Sequence, residues 1–513
     1  MRLRSWPVPL FVTLVCASVA ALAPASPIAA QGDPVGVYLD SVRHEPDLLA
    51  AFLRDMPKGG DLHLHLSGAT STETLLRFAT DGGLCVDTVT LEALAPPCRA
   101  GGRPAADTET DPGFRDAVIA AWSMKGFVSG AETGHDHFFA TFSKFGLASD
   151  GHAGDMLAEV AARAADQHEY YVEPLITPGY AAVEALAEKA GYDADFAAMR
   201  DRMTADRAMD RIVADVGKTV DVSFARFRTV LHCNSRAEAD DGCDLPIRFD
   251  YQVLRARPPE VVFAQMVLGF ELMARDRRFV GINLVEPEDD PVARRDYRLH
   301  MQMLDFLRGR YPRSHVTLHA GELTGAVAPP EDLRFHIHDA VLTGRAERIG
   351  HGVDIAGEDG AGELLRTMAE RHVLVEIALT SNDQILGVKG SQHPFPLYRH
   401  SGVPVALVTD DEGVSRTDLT AQYQRAVTTY DLGYGDLKTL ARAALQHSFL
   451  QGEDLWRGPD EFRPGPACAR DRPGGPDARS SSCRALLHSS RKAKAEWDQE
   501  AGFARFEQRY GGG

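Results

Sequence analysis

The run Asp61-Leu62-His63-Leu64-His65 places two imidazoles at positions i and i+2. In an extended strand those positions face the same way, so His63 and His65 project together, as two ligands of one metal ion must. His-x-His recurs at His135-Asp136-His137 and His336-Ile337-His338. No strand pattern surrounds the first of these. The second falls in a helical pattern, where i and i+2 diverge. Further ionisable groups close apolar runs at His319-Ala320-Gly321-Glu322, Gly350-His351-Gly352 and Thr409-Asp410-Asp411. Imidazoles with a carboxylate suit a borderline divalent ion, zinc first among them. Zinc lowers the pKa of water from about 15.7 to roughly 7. A carboxylic acid beside it protonates the ring nitrogen of an aromatic amine as water attacks, which contributes about 10²–10⁴ in rate. A further base or hydrogen-bonding group must orient the attacking oxygen. The chemistry these side chains suit is metal-assisted hydrolysis.

The elements that must position them read as strands at Asp61–Leu66, Tyr170–Ile176, Val220–Val230, Phe279–Val285, His315–His319, Arg348–His351, Val373–Leu379 and Val403–Thr409. Helical patterns separate most of them: Pro259–Arg275, Asp296–Arg310, Arg334–Thr343, Gly362–Arg371 and Asp418–Tyr430. Strand alternating with helix argues for a parallel sheet, and eight such strands for an α/β fold closed as a (β/α)8 TIM barrel. The ionisable groups then fall at C-terminal strand ends, where barrel enzymes place their sites. About a hundred residues separate the first two strands. This predicts an insertion, 81–168, on the catalytic face, with a helical part near Phe114–Gly146, able to serve as a lid or pocket wall. After Gly452 the composition turns rich in Pro, Gly and Arg, and Ala485–Arg509 reads as a polar terminal helix.

The motifs resemble the adenosine deaminase family. The resemblance rests on Met56-Pro57-Lys58-Gly59-Gly60-Asp61-Leu62-His63-Leu64-His65-Leu66-Ser67-Gly68-Ala69, Leu318-His319-Ala320-Gly321-Glu322, Glu347-Arg348-Ile349-Gly350-His351-Gly352 and Val408-Thr409-Asp410-Asp411. Thr380-Ser381-Asn382 and an export signal favour the secreted, growth-factor-related branch and its bacterial relatives. The resemblance implies one zinc per chain held by His63, His65, His319 and Asp410. It implies that Glu322 donates a proton to purine N1, that His351 orients or deprotonates the attacking water, and that Asp411 hydrogen-bonds the water or purine N7. Two positions depart from the family pattern. Glu286 stands where a glycine after the fourth strand commonly offers its N–H to purine N3. Ser67 stands where many intracellular members carry an aspartate near the ribose 5′ end. The expected reaction is deamination of adenosine, and of deoxyadenosine, to inosine and ammonia. Adenine or a 5′-modified adenosine is the alternative substrate on the same barrel, and a non-catalytic exported nucleoside-binding protein is the alternative of another class.

Composition narrows the partners. The chain has 513 residues and a net charge of −18. Residues 1–30 have a secretory signal layout, with Arg2 and Arg4, then an apolar run from Val8 to Leu22, then small residues before Gln31. The expected location is therefore periplasmic or extracellular, with no stable membrane anchor. Removing that leader makes the mature chain, 31–452 as barrel and 453–513 as extension, still more acidic. Such a chain is a poor nucleic-acid binder, which needs basic patches. The His-x-Glu and Pro-Cys-x-x-Cys signature of cytidine-type deaminases does not occur. The expected partner is a small-molecule purine nucleoside, with a homodimer as one open assembly. Beyond Cys16 in the leader lie Cys85, Cys98, Cys233, Cys243, Cys468 and Cys483, three near-neighbour pairs in an oxidising compartment. The expected disulfides are Cys85–Cys98, Cys233–Cys243 and Cys468–Cys483, the last stapling the C-terminal extension.

Overall fold

A computed structural model describes residues 33–512. The expected leader, 1–30, lies outside the described residues. Eight parallel strands form the barrel: β1 (Gly59–His65), β2 (Glu169–Ile176), β3 (Phe249–Leu254), β4 (Phe279–Val285), β5 (Thr317–Ala320), β6 (Arg348–His351), β7 (Leu374–Ile377) and β8 (Val405–Leu407). They pair in the order β1-β2-β3-β4 and β5-β6-β7-β8. A parallel bridge between Leu64 and Asp410 joins β1 to the end of β8. There the N–H of His65 donates to the Asp410 carbonyl and that of Asp410 to the His63 carbonyl, both at 2.9 Å. Strands β4 and β5 lie side by side. Asn283 spans this seam, its Oδ1 accepting from the His319 N–H at 2.8 Å. The strands are short and buried on both faces, as helix-covered parallel strands are.

Seven of the eight expected strands are present within a few residues. Val220–Val230 is a correction: it belongs to the helix Ala208–Val230, and the third strand is Phe249–Leu254. Val-Asp-Val-Ser-Phe alternates like a strand. The residues that bury themselves, however, are Met209, Val213, Val216, Val220 and Phe227, which share one helical face.

The segment between β1 and β2 is built, not loose. It holds a small antiparallel sheet (Cys85–Asp87, Ala93–Leu94, Gly102–Pro104) and the helices Pro112–Ala121, Gly134–Ser149 and Ala153–Asp166. The last of these packs on β2. Helix Gly134–Ser149 starts at Thr133, whose hydroxyl accepts from the Asp136 N–H. It carries Phe138, Phe139 and Phe142 toward the C-terminal ends of the strands. At the chain's other end, helix Arg491–Tyr510 docks on the barrel beside β2, and helix Ser481–Ser489 packs on it. Phe503 and Phe506 are buried, and Phe52, Phe506, Tyr38 and Tyr510 form an aromatic cluster. The single polar helix expected over Ala485–Arg509 is thus two helices that meet at Ser490, and the second has one apolar face. Cys85 bonds Cys98, Cys233 bonds Cys243 and Cys468 bonds Cys483. No described helix is long and apolar enough to cross a membrane.

Candidate metal centre and active site

Three imidazoles and a carboxylate converge at the mouth of the barrel. His63 Nε2 and His65 Nε2 lie 3.0 Å and 3.3 Å from His319 Nε2. Asp410 Oδ1 lies 3.6 Å from His63 Nε2 and 3.3 Å from His65 Nε2. The other nitrogen of each ring faces an oxygen: His63 Nδ1 meets Glu376 Oε2 at 2.8 Å, His65 Nδ1 meets Gln252 Oε1 at 2.5 Å, and His319 Nδ1 meets Asn283 Oδ1 at 2.9 Å. Each Nδ1 therefore carries the proton, and each Nε2 presents a lone pair to the centre. Lone pairs 3.0 Å apart repel unless a cation lies among them. Ser381 Oγ donates to Asp410 Oδ2 at 2.6 Å, which leaves Oδ1 for the same centre. The donor set fits a zinc-type ion.

His351 also lies within this cluster, where its candidate ligand atom is no more than 4.8 Å from those of His63, His319 and Asp410. Its hydrogen bonds set it apart. The Phe395 N–H donates to His393 Nδ1 at 3.1 Å, so His393 Nε2 carries the proton that meets Asn382 Oδ1 at 3.1 Å. Asn382 Nδ2 then donates to His351 Nδ1 at 2.9 Å. The neutral ring consequently has its proton on Nε2, a donor and not a ligand. Burial holds His351 down, to about 4, so it is neutral near pH 7.

Backbone strain aims several of these groups. His351, Asp410 and Glu286 adopt φ of +67°, +65° and +79°. Such conformations cost non-glycine residues on the order of 1–3 kcal/mol and gather at functional sites. Small residues make room beside them: a Cβ on Gly68 would meet Asp411 Oδ1 at 1.7 Å, and one on Gly350 would meet His63 Cε1 at 2.7 Å.

The carboxyl groups differ by surroundings. Burial pushes Glu322 well above the usual carboxylate range, and the charges of Asp410 and Glu288 push it further. Asp411 is raised by burial and then by neighbouring Asp410. Asp410 is held low despite burial, by the imidazoles of His65, His351 and His63 around it. These surroundings favour the protonated form of Glu322 and Asp411, each with one buried oxygen that has no partner, and the carboxylate form of Asp410. The 3.3 Å contact of Glu322 Oε1 with His351 Nδ1 involves an imidazole that is neutral near pH 7, so it is no ion pair.

Above the centre lies a cavity of about 410 Å³. Ser67, Gln252, Glu286, Glu322, Asp411 and the three phenylalanines are among its walls, and no Lys or Arg is. Glu286 pairs with Arg257 at 2.8 Å and accepts from the Ala256 N–H at 2.9 Å. His135 and His137 are elsewhere, on helix Gly134–Ser149. They pair with Asp289 and Glu132, both at 3.0 Å. A second hollow of about 470 Å³, beside Arg348 and Phe449, lies at the opposite barrel end.

The residues singled out by motif are therefore assembled in one place. Sequence reasoning missed their supports, namely Asn283, Gln252, Glu376 and His393; the phenylalanine wall belongs to the insertion expected as a lid or pocket wall. The legible signal was polar residues inside otherwise apolar strands, such as Gln252 in Phe-Asp-Tyr-Gln-Val-Leu.

A family model described as adenosine deaminase matches residues 131–456. The adenosine deaminase of Mycobacterium marinum is 28% identical over 225 residues, 42% of this chain and 57% of that one. That of Enterococcus faecalis is 35% identical over 140 residues, 27% of this chain and 38% of that one. The chain thus spans somewhat over half the length, or less, of these curated relatives. Among solved structures, the N6-methyl-AMP deaminase from Arabidopsis thaliana aligns with 78% of this chain and 94% of its own, at 20% identity and a TM-score of 0.51, a likeness of fold. The family match takes in more than half of the residues here, including His319, Glu322, His351, Asp410 and Asp411; His63 and His65 precede it and join it in space, and the chain belongs to the adenosine deaminase family.

Proposed function

We propose that this chain hydrolyses adenosine, and deoxyadenosine, to inosine and ammonia, with His63, His65, His319 and Asp410 holding one zinc ion. The observation that carries this reading is the convergence of three Nε2 lone pairs and Asp410 beside the buried acid Glu322, beneath a cavity walled by phenylalanines. Bound there, the ion supplies Lewis-acid activation of water. Glu322 gives its proton to purine N1 as water attacks C6; one of the two water protons then leaves on the amino group as ammonia, the other returns to Glu322, and the water oxygen remains as the C6 carbonyl of inosine. His351 orients the attacking water through Nε2–H. Asp411, neutral, donates to purine N7, an acceptor. The phenylalanines of helix Gly134–Ser149 exclude water from the base.

The cavity also supports a neutral nucleoside over a nucleotide. Its walls hold Glu286, Asp410 and Asp411, with no cation among them to meet a 5′-phosphate. A volume of about 410 Å³ is ample for base and ribose together, and falls in the usual range for small-ligand sites. Export to an oxidising compartment is part of the same proposal, supported by three closed disulfides. Ammonia release from adenosine, deoxyadenosine, adenine, methylthioadenosine and AMP tests the substrate. Adenosine and deoxyadenosine should lead adenine and AMP by at least about tenfold in kcat/KM, a difference of about 1.4 kcal/mol. Preference for adenine or AMP would overturn the substrate assignment.

A further inference from the structure

We propose that Glu288 and His336 form a buried clamp whose task is to position Glu322; the proposal deepens the proton-donor reading above and rests on it. Glu288 lies three residues beyond β4 and is 1% exposed. Its Oε1 accepts from the Gly321 N–H at 3.1 Å and its Oε2 from the Glu322 N–H at 2.8 Å. His336 Nδ1 donates to Oε1 at 2.6 Å. One carboxylate thus takes three donors, two of them the successive amides of the segment that carries the acid.

The geometry has a local cause. The chain has just left β5, and its amides have no ladder partner there. Gly321 takes φ +75°, which turns two consecutive N–H groups to the same side, a concave arrangement suited to an anion. A Cβ at Gly321 would meet Asp354 Oδ1 at 2.4 Å, so the turn is closed to other residues. His336 begins helix His336–Leu342 and is fully buried. Its ring stacks on Tyr297 at 3.7 Å, 10° from parallel, and the Tyr297 hydroxyl donates to the His336 carbonyl at 2.8 Å. The donor is therefore fixed in plane before it meets Glu288.

The His336-Ile337-His338 run, no ligand pair, gains a use in this way: His336 points inward, while His338 is paired with Asp339 at 3.0 Å. The charge pattern agrees. Among the acids packed here, burial raises Asp354, Glu358 and Glu322, whereas at Glu288 burial is outweighed by His336, Arg255 and the Gly321 N–H together, which hold it low. The carboxylate sits where three donors point, next to an acid that must keep its proton.

Glu288→Gln tests the clamp, because an amide offers one acceptor oxygen and turns its NH₂ against an N–H. Two readouts are taken on the zinc-loaded full chain. Hydrogen exchange should show faster deuterium uptake in peptides covering 320–324, with peptides from β1 and β8 unchanged. Steady-state kinetics should show kcat lower by about 10²-fold, the cost of a reacting group displaced by about 1 Å, with KM within about threefold. His336→Phe keeps the stacking and loses the donor, so it should show the same pattern more weakly. His336→Asn, which restores a donor, should recover part of the loss. Should Glu288→Gln not fold, the two His336 variants carry the test. Unchanged uptake and kcat would overturn the clamp. So would faster uptake throughout the barrel with kcat and KM both altered, since that marks a merely structural role. If the parent chain does not deaminate adenosine, the substrate assignment fails by itself. Exchange at 320–324 then decides the clamp: lost protection supports it, and unchanged protection overturns it.

Discussion

Glu322 and His319 are three residues apart and have different work. Glu322 is a buried acid with an unpartnered oxygen, and His319 presents Nε2 to two other imidazoles. Replacing Glu322 by Gln keeps size and removes the transferable proton. The variant should retain its zinc by elemental analysis while kcat falls about 10²–10⁴-fold. Turnover within about threefold of the parent would remove Glu322 from the acid's role. His319→Ala, by contrast, should lose metal and activity together, because a structural or catalytic zinc site rarely survives loss of a protein ligand. Parent-like zinc content in that variant would require another ligand set. Most of the candidate site was legible, because its members sit in short motifs at strand ends. Asn283, Gln252 and Glu376 were not. Each lies inside a strand, with no motif, and its use depends on which imidazole the barrel brings next to it. Glu376 joins β6 to β1 in this way: Arg348 Nε donates to its Oε1 at 2.6 Å, while Oε2 faces His63.

At the scale of elements, alternation misled at one place for a definite reason. Val220 to Phe224 alternates apolar and polar side chains, but the chain is helical from Ala208 and only one helical face is buried. The true third strand, Phe249–Leu254, is six residues long with Gln252 inside it, a weak pattern that tertiary burial completes. The terminal helix Arg491–Tyr510 was legible as a helix, but its buried face was not, since that face depends on contacts with Phe52 and Tyr38 from the chain's start. This helix also buries Glu496. Burial, then the charge of Asp454, pushes its carboxyl up to about 8. A carboxyl raised on folding contributes stability that is fully present below its unfolded value and is lost as pH rises to the folded one. Glu496→Gln cannot ionise and still accepts from the Leu455 N–H. Its melting temperature should therefore gain on the parent between pH 5 and pH 8. Equal differences at both pH values would show that Glu496 does not ionise across that window.

The whole molecule concentrates its chemistry at one end of an acidic barrel. Disulfides close the insertion, the loop before β3 and the C-terminal extension, and none belongs to the candidate metal cluster. Zinc bound to the folded chain alone should therefore also stabilise it, by an amount set by its concentration relative to Kd. The central claim is that this cluster, loaded with metal, deaminates adenosine. Its most direct test follows adenosine-dependent ammonia release by the full chain before chelation, after chelation and after zinc is returned. Stripped protein should fall to background, and one equivalent of zinc should restore the parent rate. Protein shown by metal analysis to be stripped, yet releasing ammonia from adenosine at the parent rate, would contradict the claim.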